Sequence, residues 1–231
     1  MTREPLVGGS FLHYLAPPDR DFLLGRGMIH VRSAGRTLMH EGDPTDHVLV
    51  LLSGWVRVYT TARNGQVVLY ALCGPGEVIG DLAALHGWPR TATVDTLQET
   101  EFAQFTHDGF LACLEDRAAL GVALLRQMAV RLRKAEGARV DFATMGVAQR
   151  VAAFLVRMAD LHGRPSPNGV LVGMPLTQQD IANSIGGSRR AVARALQTFR
   201  ERGMLVTGRR MFVVSALDVL RGLAGSAPDG T

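Results

Sequence analysis

Between positions 28 and 105, apolar and β-branched residues come in short runs separated by turn residues, the pattern of a sheet protein with strands of a few residues each. The runs at 28–32, 48–52, 55–60, 67–72, 78–82, 91–97 and 101–105 predict strands. The clusters at 41–44, 53–54, 63–65, 74–76 and 87–89, built around Gly, Pro, Asn and Asp, predict the turns between them. Asn64 and Gly65, between VRVY at 56–59 and VVLY at 67–70, mark a hairpin because both residues tolerate positive φ. Strands this short and this evenly spaced predict a barrel or jelly roll rather than a parallel sheet.

Near Asp108 the period lengthens. Residues 117–142 contain no proline and place Gly121, Leu125, Met128, Leu132 and Ala135 at alternating spacings of four and three, with Phe142 a heptad further on, the seam of two packed helices. A helix of that span is about 40 Å long. The partner expected for its stripe is the same helix of a second subunit, giving a two-fold dimer; the alternative is packing on its own roll alone. Residues 143–146 then read as a hinge.

The remaining chain has a different character. Residues 147–161 form an amphipathic helix and 162–169 read as a loop by composition. Residues 176–185, Gly186-Gly187 and 188–203 then read as helix, tight glycine turn, helix. Thr177 is placed to cap the first helix with Asp180 three residues on, and Ser188 to cap the second. Residues 204–206 and 211–214 flank 207–210 as a hairpin of wing type. The predicted organisation is α+β: a β-roll with short flanking helices over 1–116, a dimerisation helix and hinge over 117–146, and a winged helix-turn-helix over 147–231.

Composition narrows the class. With 231 residues, 47% apolar and 20% charged, the chain can bury a substantial core and is not a disordered polymer. Its apolar stretches, 48–52 among them, are far short of the roughly 20 residues of a membrane span. No signal peptide is evident at residues 1–10, so a cytoplasmic protein without a membrane partner is expected. Cys73 and Cys113 cannot build a disulfide framework, and read as small buried hydrophobes. His40 and His47 stand among turn residues with no third ligand, so no metal site is expected. No nucleophile elbow or Walker loop is present, which argues against an enzyme.

Charge changes the picture more. Residues 1–146 carry 14 basic and 16 acidic side chains, a balance of −2. Residues 147–231 carry 11 basic and 5 acidic, a balance of +6, and all 11 bases are arginine. Such a segment suits a polyanion, because the arginine fork matches phosphate oxygens and guanine edges. A reading helix contacts bases with its N-terminal residues, which puts Arg189, Arg190 and Arg194 where base-edge donors are needed. Thr177, Gln178, Gln179 and Ser188 offer short polar groups to phosphates, and Arg209 and Arg210 add contacts from the wing tip. The expected partner is double-stranded DNA.

Three stretches together resemble the Crp/Fnr superfamily of transcription regulators: EGDPTDHVLVLLSGWVRVY at 41–59, GEVIGDL at 76–82 with PRTA at 89–92, and residues 177–205. The resemblance covers roughly residues 10–215. It implies a cyclic-nucleotide-binding-type β-roll (jelly roll), a long dimerising helix, and a winged helix-turn-helix on two half-sites of a palindromic operator, with RNA polymerase as a candidate partner. In the family's phosphate-binding cassette, Gly80 and Leu82 match positions that offer backbone, Asp81 the carboxylate for a ribose hydroxyl, Arg90 the phosphate charge and Thr91 a hydroxyl. The alternative is that Asp81 and Arg90 simply pair with each other.

The long helix and the reading helix both depart from the cAMP receptors. Their Thr-Ser pair for the adenine amino group is matched by Ala135 and Glu136, and an ionised Glu136 is acceptor-only, which suits guanine. Arg190 replaces a glutamate that accepts from cytosine, so a different operator is expected. No cofactor is required; cAMP, cGMP and cyclic di-GMP are the candidate effectors. Two other readings stay open: an effector-independent DNA binder with a vestigial pocket, and a nucleotide-binding regulatory subunit of a partner enzyme.

Overall fold

The structure, a computed structural model, describes residues 5–44, 46–208 and 211–225. The chain divides into two compact units, Met1–Lys134 and Ala135–Thr231.

In the first unit a 3₁₀ turn, Leu12–Tyr14, leads to helix α1 (Pro17–Leu24), which starts on two prolines whose fixed φ suits a first helical turn. Strands β1 (Met28–Arg32), β2 (Thr37–Met39), β3 (His47–Ser53), β4 (Val56–Thr61), β5 (Val67–Cys73) and β6 (Val78–Ile79) follow. After helix α2 (Asp81–His86) come β7 (Thr93–Thr96), β8 (Thr100–Thr106) and helices α3 (His107–Asp116) and α4 (Ala118–Thr144). The strands form two antiparallel four-stranded sheets, ordered β1-β8-β3-β6 and β2-β7-β4-β5.

Strand β3 explains how the layers assemble. Its side chains alternate with period two. Leu49 and Leu51 point between the sheets, where they join Val56, Ile79, Val94 and Phe102. Val48 and Val50 point the other way, into a second core with Phe11, Leu23, Phe105, Phe110, Leu120 and Leu124. The helices therefore cover the outer face of one sheet, which is the jelly roll expected.

Several elements differ from the sequence reading. The run 78–82 is a strand only at Val78–Ile79, because Gly80 takes φ +83 and turns the chain into α2. The run 91–97 shortens to Thr93–Thr96, and β2 was not foreseen, since Thr-Leu-Met is too short to show a period. The β4–β5 turn uses Asn64 and Gly65 as expected, with Gly65 at φ +79 and the Gln66 N–H donating to Asn64 Oδ1 at 3.0 Å.

Helix α4 buries Leu120, Ala123, Leu124 and Gln127. Its other side leaves Val122, Leu125, Leu132, Val140 and Phe142 exposed, with Leu125 at 66% and Leu132 at 61%. Of the expected seam, Met128 is half-buried against the roll core and Gly121 is half-buried. Ala135 is exposed, and Phe142 carries the Arg150 guanidinium 5.0 Å from its ring centroid.

The second unit holds helix α5 (Val147–His162), strands β9 (Arg164–Ser166) and β10 (Gly169–Val172), helices α6 (Gln178–Ile185) and α7 (Arg189–Glu201), strands β11 (Leu205–Gly208) and β12 (Met211–Val214), and helix α8 (Leu217–Leu223). Residues 162–169, expected as a loop, instead end α5 and form most of the β9–β10 hairpin, completing a sheet ordered β11-β12-β10-β9. Pro165 is tolerated because β9 is an edge strand. Gly169, at φ +124, lets the backbone approach β12, where a Cβ would stand 2.2 Å from the Val214 carbonyl oxygen.

Candidate functional site

The cassette is assembled where β6 ends. A Cβ on Gly80 would lie 2.4 Å from Arg90 Nη1, so only glycine allows both the left-handed turn and the close approach of this guanidinium. Arg90 is buried, at 5% exposure. Its Nη1 donates to the Gly80 carbonyl at 3.2 Å and its Nη2 to the His47 carbonyl at 2.5 Å. Burial lowers the Arg90 pKa, opposed by Asp46 and Asp43, but a guanidinium stays charged at any physiological pH. The site thus holds a buried cation bonded to main-chain carbonyls, which an anionic ligand can complement. The α2 first turn adds N–H groups that have no partner within the helix, those of Asp81 and Leu82 among them.

Asp81 does not pair with Arg90. Its buried carboxylate takes two hydrogen bonds from Arg131 Nη1 of α4, at 3.1 Å to Oδ1 and 2.9 Å to Oδ2. Arg131 also donates through Nη2 to the Val78 carbonyl. Burial works against the charge on Arg131, yet Asp81 above all outweighs it and the pKa is raised. Beside this pair, burial pushes the Glu77 carboxyl up while its oxygen accepts from the Gly74 N–H at 2.8 Å. Burial likewise raises the Cys73 thiol, which fits an inert core residue. The sequence reading missed Arg131. The signal was present, since residues 120, 124, 127 and 131 share one helical face and Arg131 is the charge on an otherwise buried stripe.

Gly80, Asp81 and Arg90 therefore come together, while Leu82 (46% exposed) and Thr91 lie at the surface of the same segment. Trp88, 54% exposed, stacks on His86 with ring centroids 4.2 Å apart. Glu136 is exposed on α4 and belongs to the second unit.

The second site is built from two capped helices. Thr177 Oγ1 accepts from the Asp180 N–H at 3.1 Å, and Asp180 Oδ2 accepts from the Thr177 N–H at 2.9 Å, closing a capping box on α6. Gly186, at φ +62, ends that helix where a Cβ would stand 2.9 Å from the Phe142 ring. Ser188 Oγ accepts from the Ala191 N–H at 3.2 Å and starts α7. One face of α7 is core: Val192, Ala195, Leu196 and Phe199 are buried. The other presents Arg189, Arg190, Arg194 and Gln197 to solvent, beside the exposed Thr177, Gln179 and Ser188 and the half-buried Gln178.

Arg200, which sequence reasoning did not single out, is also exposed and donates to Thr207 Oγ1 of β11 at 3.4 Å, tying α7 to the wing. Arg209 and Arg210 lie outside the described residues; β11 and β12 pair as far as Gly208 with Met211 on either side of them. Among the described residues no group of three or more His, Cys, Asp or Glu is arranged to hold a metal ion, and no helix is long and apolar enough to cross a membrane.

The family model described as "Cyclic nucleotide-binding domain" matches residues 30–117, and that described as "Crp-like helix-turn-helix domain" matches residues 149–223. The CRP-like cAMP-activated global transcriptional regulator of Mycobacterium tuberculosis is 32% identical over 171 residues, spanning 74% of this chain and 76% of that protein. The chain belongs to the CRP-like family of transcriptional regulators. The cyclic AMP receptor protein of Thermus thermophilus is 27% identical over 204 residues, 88% of this chain and 91% of that one. The solved structure of FixK2 from Bradyrhizobium japonicum shares the fold, with a TM-score of 0.74 at 22% identity, covering 88% of this chain and 99% of that one. As a CRP-like protein the chain is an effector-modulated, DNA-binding transcription regulator, and its homologues are regulators rather than enzymes.

Proposed function

We propose that two copies of this chain join along α4 and read a two-fold symmetric DNA site with α7, under control of a cyclic nucleotide held at the cassette. The observation that carries this reading is α7 itself, a helix buried on one face and bearing Arg189, Arg190 and Arg194 on the other, in its first two turns. Base readout by the start of a helix needs that arrangement. Thr177, Gln178, Gln179 and Ser188 supply phosphate contacts that fix the register, and the wing arginines add to them. Such a regulator works in the cytoplasm, where the DNA is.

The cassette supports the nucleotide part. Arg90 offers a buried charge to a phosphate, Gly80 and Leu82 offer backbone, Thr91 a hydroxyl, and Asp81 a carboxylate for a ribose hydroxyl. The names of the M. tuberculosis and T. thermophilus relatives associate them with cAMP. Here Glu136, acceptor-only when ionised, suits a guanine base, so cGMP and cyclic di-GMP stand beside cAMP as candidates. A second reading, DNA binding without an effector, draws on the Asp81–Arg131 pair, which already occupies the carboxylate.

The dimer follows from exposed area. Leu125 and Leu132 stand a heptad apart on the open side of α4, and burying a leucine stabilises by roughly 1.5–3 kcal/mol. Two-fold symmetry counts each residue twice. Sedimentation velocity at micromolar concentration is expected to find a dimer, and Leu125→Glu with Leu132→Glu is expected to give a folded monomer that has lost operator affinity. A wild-type monomer, or a dimer indifferent to both substitutions, contradicts the proposed seam.

A further inference from the structure

Gln127 has a structural setting unlike that of any other polar residue on α4. It is 1% exposed, in the middle of a stripe otherwise made of Leu120, Ala123 and Leu124. Its Oε1 accepts two main-chain N–H groups, from Phe11 at 3.0 Å and from Val78 at 3.1 Å. Its Nε2 donates back to the Val78 carbonyl at 3.4 Å. The carboxamide therefore presents to Val78 one acceptor and one donor, as the peptide of a neighbouring strand does.

Among the described residues no strand takes that place. Strand β6 is the edge of its sheet, paired to β3 through Val50 with Val78 and Leu49 with Ile79. An uncovered edge leaves backbone groups without partners, and here a helix side chain covers it. Arg131, one turn further along α4, bonds the same Val78 carbonyl. Val78 lies two residues before Gly80, so the strand that leads into the cassette is gripped by α4.

The third element at this node is the N-terminal segment. The Val7 N–H donates to the Pro75 carbonyl at 2.9 Å and the Leu12 N–H to the Gly76 carbonyl at 2.9 Å, while the Phe11 N–H ends on Gln127. A Cβ on Gly76 would lie 2.4 Å from Ser10 Oγ, so this strap and the turn before β6 touch closely. Cassette strand, strap and α4 meet at one amide. Packed contacts of this kind exchange between discrete arrangements rather than stretch.

We propose that Gln127 is the positioning residue through which α4 follows the cassette strand, converting nucleotide occupancy into a change along the helix that carries Leu125 and Leu132. The proposal rests on the reading above, that a cyclic nucleotide modulates DNA binding. A residue serving the core alone is replaceable by an apolar one of similar size, whereas a coupling residue is not.

The test compares Gln127→Met, which keeps length and removes the amide, with Gln127→Glu, which keeps an acceptor for the Phe11 and Val78 N–H groups. Operator affinity is measured with and without cAMP, cGMP and cyclic di-GMP, and binding of each nucleotide is measured by calorimetry. The wild-type gain in operator affinity, about 5- to 150-fold for coupled sites, is expected to fall below about twofold in Gln127→Met while the nucleotide still binds. Gln127→Glu is expected to retain the gain. A folded Gln127→Met protein that keeps the wild-type gain overturns the role of Gln127 alone.

A wild-type protein whose operator affinity responds to none of the three nucleotides overturns the effector reading and this proposal with it. Hydrogen exchange in the wild type needs no variant. The Phe11 and Val78 amides are expected to change protection together, by about tenfold or more, when the nucleotide binds. Unchanged protection of both amides with nucleotide bound overturns the proposal.

Discussion

Replacing Arg189 and Arg190 together by alanine is expected to lower affinity for the operator, as selected from random duplexes, by on the order of 100- to 1,000-fold. Each arginine forking onto guanine O6 and N7 is worth about 1–3 kcal/mol of discrimination, and each 1.4 kcal/mol is a factor of ten. Both side chains are exposed on the solvent face of α7, so the melting temperature is expected to stay close to wild type. Anisotropy titration with operator and scrambled duplexes separates the two terms. Loss on the operator should greatly exceed loss on the scrambled sequence, because the phosphate contacts proposed for Thr177, Gln179 and Ser188 would remain. Equal losses on both duplexes would mean that the two arginines serve the backbone only. Arg190→Glu restores an acceptor and is expected to move the preferred base at one position of each half-site from guanine towards cytosine.

Removing the guanidinium at Arg90 should be the most damaging change to effector binding. Arg90→Met takes away the buried cation of the cassette and is expected to weaken cyclic nucleotide binding by at least about 100-fold, since hydrogen bonds to charged groups contribute about 1.5–3 kcal/mol each. The substitution also leaves the Gly80 and His47 carbonyls without these donors, so some stability is lost with it. Calorimetry with cAMP, cGMP and cyclic di-GMP, together with operator affinity in the absence of nucleotide, distinguishes the outcomes. Lost nucleotide binding with ligand-free operator affinity preserved supports the cassette role. Unchanged nucleotide binding in a folded Arg90→Met protein removes Arg90 from the site.

How much of this was legible in the sequence depends on whether each feature is local. The α6–α7 turn was, because a Thr177–Asp180 box, two glycines and a Ser188 cap are all written within a few residues of one another. The strands of the roll were readable from their short apolar runs between turns, and β3 shows why: it is buried on both faces, with successive residues in different cores. Features that depend on distant partners were not readable. Nothing near Asp81 indicates that its counter-ion lies 50 residues on, at Arg131. Nothing near Val78 indicates that Gln127 replaces a strand at its edge. The β9–β10 hairpin was hidden for another reason: Arg-Pro-Ser has no apolar alternation, and proline, asparagine and glycine mark a loop and a hairpin turn equally well. The run 78–82 was cut short by Gly80, whose positive φ ends the strand and whose missing side chain leaves room for Arg90 Nη1.

Under the proposed function, two symmetry-related copies of α7 lie in successive major grooves. Selection of binding sites from random duplexes by the wild-type protein, repeated with each of the three nucleotides, tests it most directly. The expected product is a two-fold symmetric sequence with half-sites about 10–10.5 base pairs apart, or a multiple of that spacing, and guanine in each half. A pool with no enriched sequence, or one enriched in a lone half-site without its symmetry mate, would contradict it.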